Sequence, residues 1–160
     1  MSKRSRRRRV QHGVRLVQLP TGEWEFRHPR CVRERTEDIE EVYLMLEHGD
    51  DELAEETLRW LLDGCSEFIE AHMLLGHVAE NEHRLDLARA HYGYAFEIGK
   101  RAIPRGFKGN IPSDRPANRP WYRAAAGLLR CLTEQGELKK AEEVLQLIAQ
   151  TDPQVNLADL

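Results

Sequence analysis

From Thr36 onward, apolar residues recur at intervals of three and four positions, which is the spacing of amphipathic helices. The first such segment has Glu37 and Asp38 in its first turn, where carboxylates suit the helix dipole. It ends at Gly49, because glycine can take the left-handed capping geometry. The pattern predicts six helices, over about residues 36–48, 51–63, 66–78, 85–100, 121–135 and 137–151.

A small-residue motif, A-x-x-x-[LY]-x-x-[LAI], recurs on every second predicted helix. Ala54 and Ala88 begin two copies 34 residues apart, and an interval of that length is the signature of a helical-hairpin repeat. The third copy begins at Ala141, 53 residues after Ala88, which is 19 residues more than one repeat. We therefore expect an all-α array of three helix hairpins, each burying its apolar face against its neighbour. The copies are Ala54/Leu58/Leu61, Ala88/Tyr92/Ala95 and Ala141/Leu145/Ile148.

A β-hairpin pattern precedes the helices. Two short apolar runs flank residues 20–23, Pro-Thr-Gly-Glu, in which proline presets one turn position and glycine permits another. Trp24 and Phe26 alternate onto one face, and two strands alone are marginal in water. We expect that face to pack on the first helix hairpin, the nearest candidate. Residues 13–34 are predicted to form the β-hairpin and a linker, and the polar, arginine-rich residues 1–12 a disordered basic arm.

The excess between the second and third motifs lies in residues 103–120. Four prolines forbid a continuous helix there. An irregular segment of this length is unusual in a small domain and is often functional. It is also basic, so it could hold an acidic partner, dock on a second copy of the chain, or only cap the helix ends. The basic residues concerned are Arg105, Lys108, Arg115 and Arg119.

On these residues the chain resembles the tetratricopeptide-repeat (TPR) family. Residues 69–102 match best, since Leu75, Gly76, Ala88, Tyr92 and Ala95 occupy the family's large, small, small, aromatic and small positions. Small residues let the helices of a hairpin approach closely, and bulky ones fill the gap to the next hairpin. Further matches are Gly49, Ala54, Leu58 and Leu61 in residues 35–68, and Gly136, Ala141, Leu145, Ile148 and Pro153 in residues 122–155.

The resemblance implies a TPR-like domain over residues 35–160, with repeats at about 35–68, 69–102 and 122–155 and the proline-rich insertion at 103–120. Its three helix hairpins would form a short right-handed solenoid behind the small β-hairpin. The order of these parts also resembles small bacterial TPR proteins that have no assigned biochemical role. The expected function is that of a scaffold or adaptor that binds a peptide or partner protein.

In this family the ligand groove is usually lined by the first helix of each repeat. Carried onto this chain, the resemblance implies a mixed groove, apolar at one end and basic at the other, for a peptide with an acidic segment. The partner-binding residues we select are Tyr43, Met73, His77, Asn81, Arg123 and Arg130. The wider surface adds Ile39, Leu46, Glu47, Glu80, Ala126 and Thr133.

The net charge of −3 hides three charged blocks. Residues 1–35 carry 11 Lys/Arg and 3 Asp/Glu, residues 36–70 carry 1 and 13, and residues 100–123 carry 7 and 1. Blocks of this kind mark partner surfaces or neutralise one another within the molecule. The alternative function is therefore a nucleic-acid-associated accessory protein, since arginine side chains can bind phosphate backbones. That role would use the basic insertion and Arg6, Arg7, Arg8 and Arg9.

The remaining motifs predict little chemistry. The histidine spacings in residues 72–91 do not place two ligands on one helix face, so we expect no metal site. No glycine-rich phosphate loop and no G-x-S-x-G motif occurs, so we expect no cofactor, no catalytic residue and no enzyme. No apolar stretch is long enough to span a membrane. The three widely spaced cysteines fit a reducing cytosol, and the third repeat, which lacks a capping helix, is expected to pack on a second chain as a homodimer.

Overall fold

The computed structural model describes residues 13–160, and the predicted arm at residues 1–12 lies outside the described residues. This part of the chain is mostly helical, with a two-stranded antiparallel hairpin at its start. Strand β1 is Arg15–Gln18 and strand β2 is Trp24–Arg27, with Leu16 opposite Phe26. A short helix follows, α1 at Arg30–Arg33.

The six predicted helices are all present. Their bounds are α2 Thr36–Glu47, α3 Asp51–Leu62, α4 Ile69–Asn81, α5 Leu85–Ala102, α6 Arg119–Glu134 and α7 Leu138–Thr151, and a 3-10 turn follows at Leu157–Asp159. Helix α6 begins two residues earlier than expected because Pro120 lies in its first turn, where the missing N–H costs nothing. Helix α4 begins three residues later than expected.

Consecutive helices pack against one another from α2 to α7, and α6 also packs on α4. Tyr92 of α5 fills the space where α4, α5 and α6 meet. A Cβ atom on Gly76 of α4 would lie 2.6 Å from the Tyr92 ring, and one on Gly127 of α6 would also overlap it. The two glycines therefore let α4 and α6 approach this ring as closely as they do.

The third copy of the small-residue motif departs from the expected burial. Ala141 and Ile148 are buried, but Leu145 is 47% exposed and Val144 is buried in its place. Helix α7 packs on α6, and among the helices of residues 13–160 none covers the side on which Leu145 lies. The motif therefore predicts burial of all three of its residues only in a helix that has a neighbouring helix on each side.

The β-hairpin does not pack mainly on the first helix pair, so that expectation was wrong. The hairpin contacts the insertion and α6 instead. The backbone N–H of Trp24 donates to the Asn110 carbonyl (2.8 Å), and the Phe26 ring packs edge-on against Trp121 with ring centroids 5.3 Å apart. Asn118, fully buried, accepts from the Phe26 N–H (2.9 Å) and donates to the Trp24 and Pro112 carbonyls (3.2 and 3.0 Å). The insertion supplies the backbone partners that the hairpin edge needs.

The insertion is also fastened to the end of α7. The Ile111 N–H donates to the Thr151 carbonyl (2.8 Å), and the Ser113 N–H donates to Asp152 Oδ2 (2.9 Å). Tyr122 Oη donates to the Ile111 carbonyl at 2.6 Å. Residues 103–118 contain no regular helix, as the prolines predict, yet they join the hairpin, α6 and α7.

A disulfide joins Cys31 in α1 to Cys65 before α4, with 5.9 Å between the two Cα atoms. It closes a loop of 34 residues and ties the segment after the β-hairpin to the start of the second helix pair. Cys131 is free and buried, and burial raises the pKa of its thiol to about 11. The pairing departs from the expectation of a reducing cytosol, because disulfides persist mainly in oxidising compartments.

Asn118→Ala should lower the free energy of unfolding by about 3 kcal/mol. The substitution leaves a buried backbone donor and two carbonyls without their partner, and an unsatisfied buried group costs roughly 1–3 kcal/mol. Urea denaturation measures the loss. Asn110→Ala is the matched control, because Asn110 contributes its backbone carbonyl and its side chain is exposed. Equal stability of the two variants would contradict the role assigned to Asn118.

Reduction of the disulfide should lower the free energy of unfolding by about 3–4 kcal/mol, because it frees a 34-residue loop in the unfolded chain. Thermal unfolding with and without dithiothreitol measures the effect. Cys31→Ser should show the same loss and no further response to the reductant. If the unfolding midpoint of the wild type is the same with and without dithiothreitol, the disulfide does not form.

Candidate functional site

One groove is lined by α2, α4 and α6, the first helix of each consecutive pair. It has a volume of about 380 Å³, and Leu160 closes part of one side. Its floor is apolar and its rim carries polar and charged groups, so it offers both burial and orientation to a bound chain. The lining residues are Tyr43, Leu46, Glu47, Met73, Leu74, His77, Tyr92, Arg123, Ala126, Arg130 and Leu160.

Tyr43 and Glu70 fix the wall where α2 meets α4. Tyr43 Oη donates to Glu70 Oε1 at 2.6 Å, a short bond to a charged acceptor. Burial raises the pKa of the Tyr43 hydroxyl, and the Glu70 charge raises it further, whereas the nearby Arg123 lowers it. The hydroxyl therefore stays protonated as a donor to Glu70, while Arg123 brings a positive charge to the same part of the groove.

Glu80 of α4 connects the other wall. Arg130 of α6 donates two bonds to its carboxylate, from Nε (2.8 Å) and Nη2 (3.0 Å), and Tyr92 Oη donates at 2.6 Å. The Arg130 bonds lower the pKa of the Glu80 carboxyl against the opposing effect of burial, and the bond from Tyr92 lowers it further. Three helices thus meet at one carboxylate, and the two-pronged arginine contact sets their orientation as well as their separation.

Five of the six selected residues lie together in this groove: Tyr43, Met73, His77, Arg123 and Arg130. Asn81 is outside the lining, but its side chain contacts His77 at 3.2 Å and so stands at the edge. From the wider surface, Leu46, Glu47 and Ala126 also line it. Ile39 does not, because it is buried in the core, and Thr133 lies one turn beyond the groove.

Sequence reasoning missed three lining residues. Tyr92 was outside the selection because its motif position indicates packing, and Leu74 belongs to no motif copy; both side chains are almost fully buried. Leu160 gave no signal, since nothing in the sequence shows that the 3-10 turn beside it returns to α6. Gly76 and Gly127 lie on opposite sides of the Tyr92 ring in the fold, and they are the signal that could have identified Tyr92 as a lining residue.

The basic insertion is partly neutralised within the chain. Arg115 donates two bonds to Glu23 Oε2 (3.1 and 2.7 Å), and Arg119 bonds the Asp114 carbonyl. Arg105 and Lys108 are exposed. Arg115 therefore holds the β-hairpin against the insertion. The nucleic-acid interpretation stays a prediction that rests on the other basic residues and on the arm, which lies outside the described residues.

The ring of His72, a residue of α4, lies between α4 and α5. Its ring is 4.4 Å from the Tyr94 ring and 6.4 Å from that of His91, and its Nε2 bonds the Ser66 carbonyl at 2.9 Å. Burial lowers the pKa of both His72 and His91, and His91 also senses the charges of His72 and Arg59. Protonation of His72 and His91 is therefore less favourable in the folded chain than in the unfolded chain.

No family model matches this chain, and searches of curated proteins and of solved structures return no match either. Within residues 13–160, no helix is long and apolar enough to cross a membrane. The same residues contain no group of three or more His, Cys, Asp or Glu side chains placed to hold a metal ion.

Acidification from pH 7 to pH 5 should destabilise the fold through His72 and His91. Their folded pKa values lie below the unfolded value near 6.5, so the unfolded chain binds more protons in this range and stability falls as the pH falls. Below that range, protonation of Glu80 adds a further loss, because its pKa is lowered by Arg130. His72→Phe should give a smaller loss between pH 7 and 5.

The measurement is the free energy of unfolding from urea titrations at several pH values. Tyr94→Phe is the control, since it keeps both histidines and the ring contact and should keep the wild-type pH dependence. A His72→Phe variant with the full wild-type slope would contradict the assignment.

Proposed function

We propose that this protein is a TPR-type scaffold or adaptor that binds a peptide or partner protein in the groove of α2, α4 and α6. In this proposal the pairs α2/α3, α4/α5 and α6/α7 are three TPR-like helix hairpins in a short right-handed solenoid, and the β-hairpin precedes them. The observation that carries it is the groove itself: five residues selected by family position, from three separate helices, line one depression.

The chemistry of the groove favours a peptide with an apolar anchor beside an acidic group. Met73, Leu74 and Ala126 are buried side chains that offer an apolar floor. The Arg130 charge is already matched by Glu80, whereas Arg123 forms no ion pair within residues 13–160. Arg123 is thus the cation best placed to meet a carboxylate of the ligand, and rim charges of this kind mainly set orientation and rate of association.

The proposal assigns no catalytic residue, no cofactor and no metal to the protein. It also places the protein in the cytoplasm, and the disulfide makes that location testable. In a reducing cytosol Cys31 and Cys65 should carry free thiols in cells, because glutathione and thioredoxin systems keep thiols reduced. Alkylation during lysis followed by mass spectrometry measures this, and a bond already formed in cells would contradict a cytoplasmic location.

Arg123→Glu should weaken binding of acidic peptides by about tenfold or more, equivalent to about 1.4 kcal/mol. Peptides are first selected from a displayed random library on the wild-type chain and then measured by fluorescence anisotropy. The charge reversal turns the attraction in the groove into repulsion. Thermal unfolding of the variant shows that the fold is kept.

Lys139→Glu is the matched control, because it makes the same charge change on the exposed surface of α7, outside the groove. It should leave the affinity within about twofold. Equal effects of the two reversals would mean that only the overall charge matters. A library that yields no groove-dependent peptide would argue against the proposed function.

A further inference from the structure

A second and larger cleft lies between α5 and α7, with α6 beneath it. Its volume is about 750 Å³, and it shares no lining residue with the groove described above. The floor is apolar, formed by Phe96, Leu128, Leu132, Val144 and Leu147. On α5 the lining runs from Asp86 to Lys100, which is a length of roughly 20 Å at the rise of an α-helix.

One end of this cleft is cationic. A depression of about 350 Å³ continues it toward the insertion and shares Lys100 and Leu147 with it. Arg101 and Arg105 also line the depression, and no carboxylate does. Lys100 contacts Glu97 at 3.6 Å and Arg101 contacts Glu67 at 3.8 Å, and of these four side chains only Glu67 is partly buried. Arg105 forms no ion pair within residues 13–160, so this end keeps a net positive charge beyond the two pairs.

Helix α3 exposes apolar side chains together with negative charge. Leu53 and Trp60 are 50% and 62% exposed and lie seven residues apart, which places them on one side of the helix two turns from each other. Glu56 lies between them on the same side, and Glu52 is adjacent. Single exposed apolar residues are ordinary, but two large ones in register with carboxylates form an amphipathic stripe. Arg35 lies beside this stripe, with its guanidinium carbon 6.0 Å from the centre of the Trp60 ring, and both apolar side chains stay at least half exposed. We call Leu53, Glu56 and Trp60 the α3 face.

We propose that the α3 face of one copy of this chain docks into the α5–α7 cleft of a second copy. Leu53 and Trp60 span roughly 10 Å along α3, which fits within the cleft. The carboxylates beside them then meet Lys100, Arg101 and Arg105. The blocks of charge along the sequence agree, since residues 36–70 are strongly acidic and residues 100–123 are basic.

The association is head to tail. The two surfaces differ and belong to different helices, so each copy keeps one free face and one free cleft after the first contact. Such a heterologous interface produces rings if the rotation closes and open chains if it does not. This inference is independent of the groove function, because the two sites share no residue.

Two variants isolate the two surfaces. Trp60→Asp disables the α3 face at an exposed position and leaves the cleft intact. Ala90→Arg places a long side chain in the cleft from an exposed position on α5 and leaves the α3 face intact. Each variant alone should sediment as a monomer, because each lacks one half of the contact. The wild type should show species larger than a dimer as its concentration rises, and higher salt should dissociate them.

The mixture of the two variants is the decisive sample. Trp60→Asp supplies an intact cleft and Ala90→Arg an intact face, so the mixture should form a 1:1 complex of twice the 18.6 kDa chain mass. The double variant should remain a monomer and should not join either chain. The proposal fails if the wild type stays monomeric up to hundreds of micromolar, if either single variant still dimerises, or if the mixture does not combine. A symmetric homodimer through α7 alone would also overturn it.

Discussion

The close approach of α4 and α6 around Tyr92 sets the geometry on which the rest of the helical array depends. Gly76 and Gly127 remove the Cβ atoms that would collide with the ring, so three helices meet at one aromatic side chain. The Tyr92 hydroxyl then reaches Glu80, which also receives two bonds from Arg130. Steric fit fixes the separation of the helices, and the charged contact fixes their rotation. The groove lies directly above this point, so its width follows from the same contacts.

The insertion between α5 and α6 completes the fold in a different way. Asn118 satisfies backbone groups of β2 and of the insertion at once, and Tyr122 bonds to residues from the insertion and from α7. The 19 residues that break the repeat interval therefore connect three elements that would otherwise leave polar edges exposed. The same segment brings Arg105 near the end of the α5–α7 cleft. Helices α2, α4 and α6 form the groove, and the insertion adds a cation to the end of the second cleft.

The helices were predictable because each buries one face, and burial leaves a period in the sequence. The turn at residues 20–23 and the proline-rich segment were predictable from residues whose backbone conformations are restricted. The packing of the hairpin was not predictable, since Trp24 and Phe26 indicate only that their rings pack on another element. Those rings contact Phe107 and Trp121, and Asn118 bonds the backbone beside them, all far along the chain. The Cys31–Cys65 disulfide was missed for the same reason, because disulfide pairing depends on the distance between two residues in the fold and not on their spacing in the sequence. Five groove residues were found through family position, whereas Leu160 had no local pattern to reveal it.

Binding in the groove can be tested by a nuclear magnetic resonance titration of the isotopically labelled protein with a selected acidic peptide. We expect the backbone amides with the largest shift changes to lie on α2, α4 and α6, around Tyr43, Met73 and Arg123. Changes confined to α3, α5 and α7 would place peptide binding outside the groove and would rule out the proposed site.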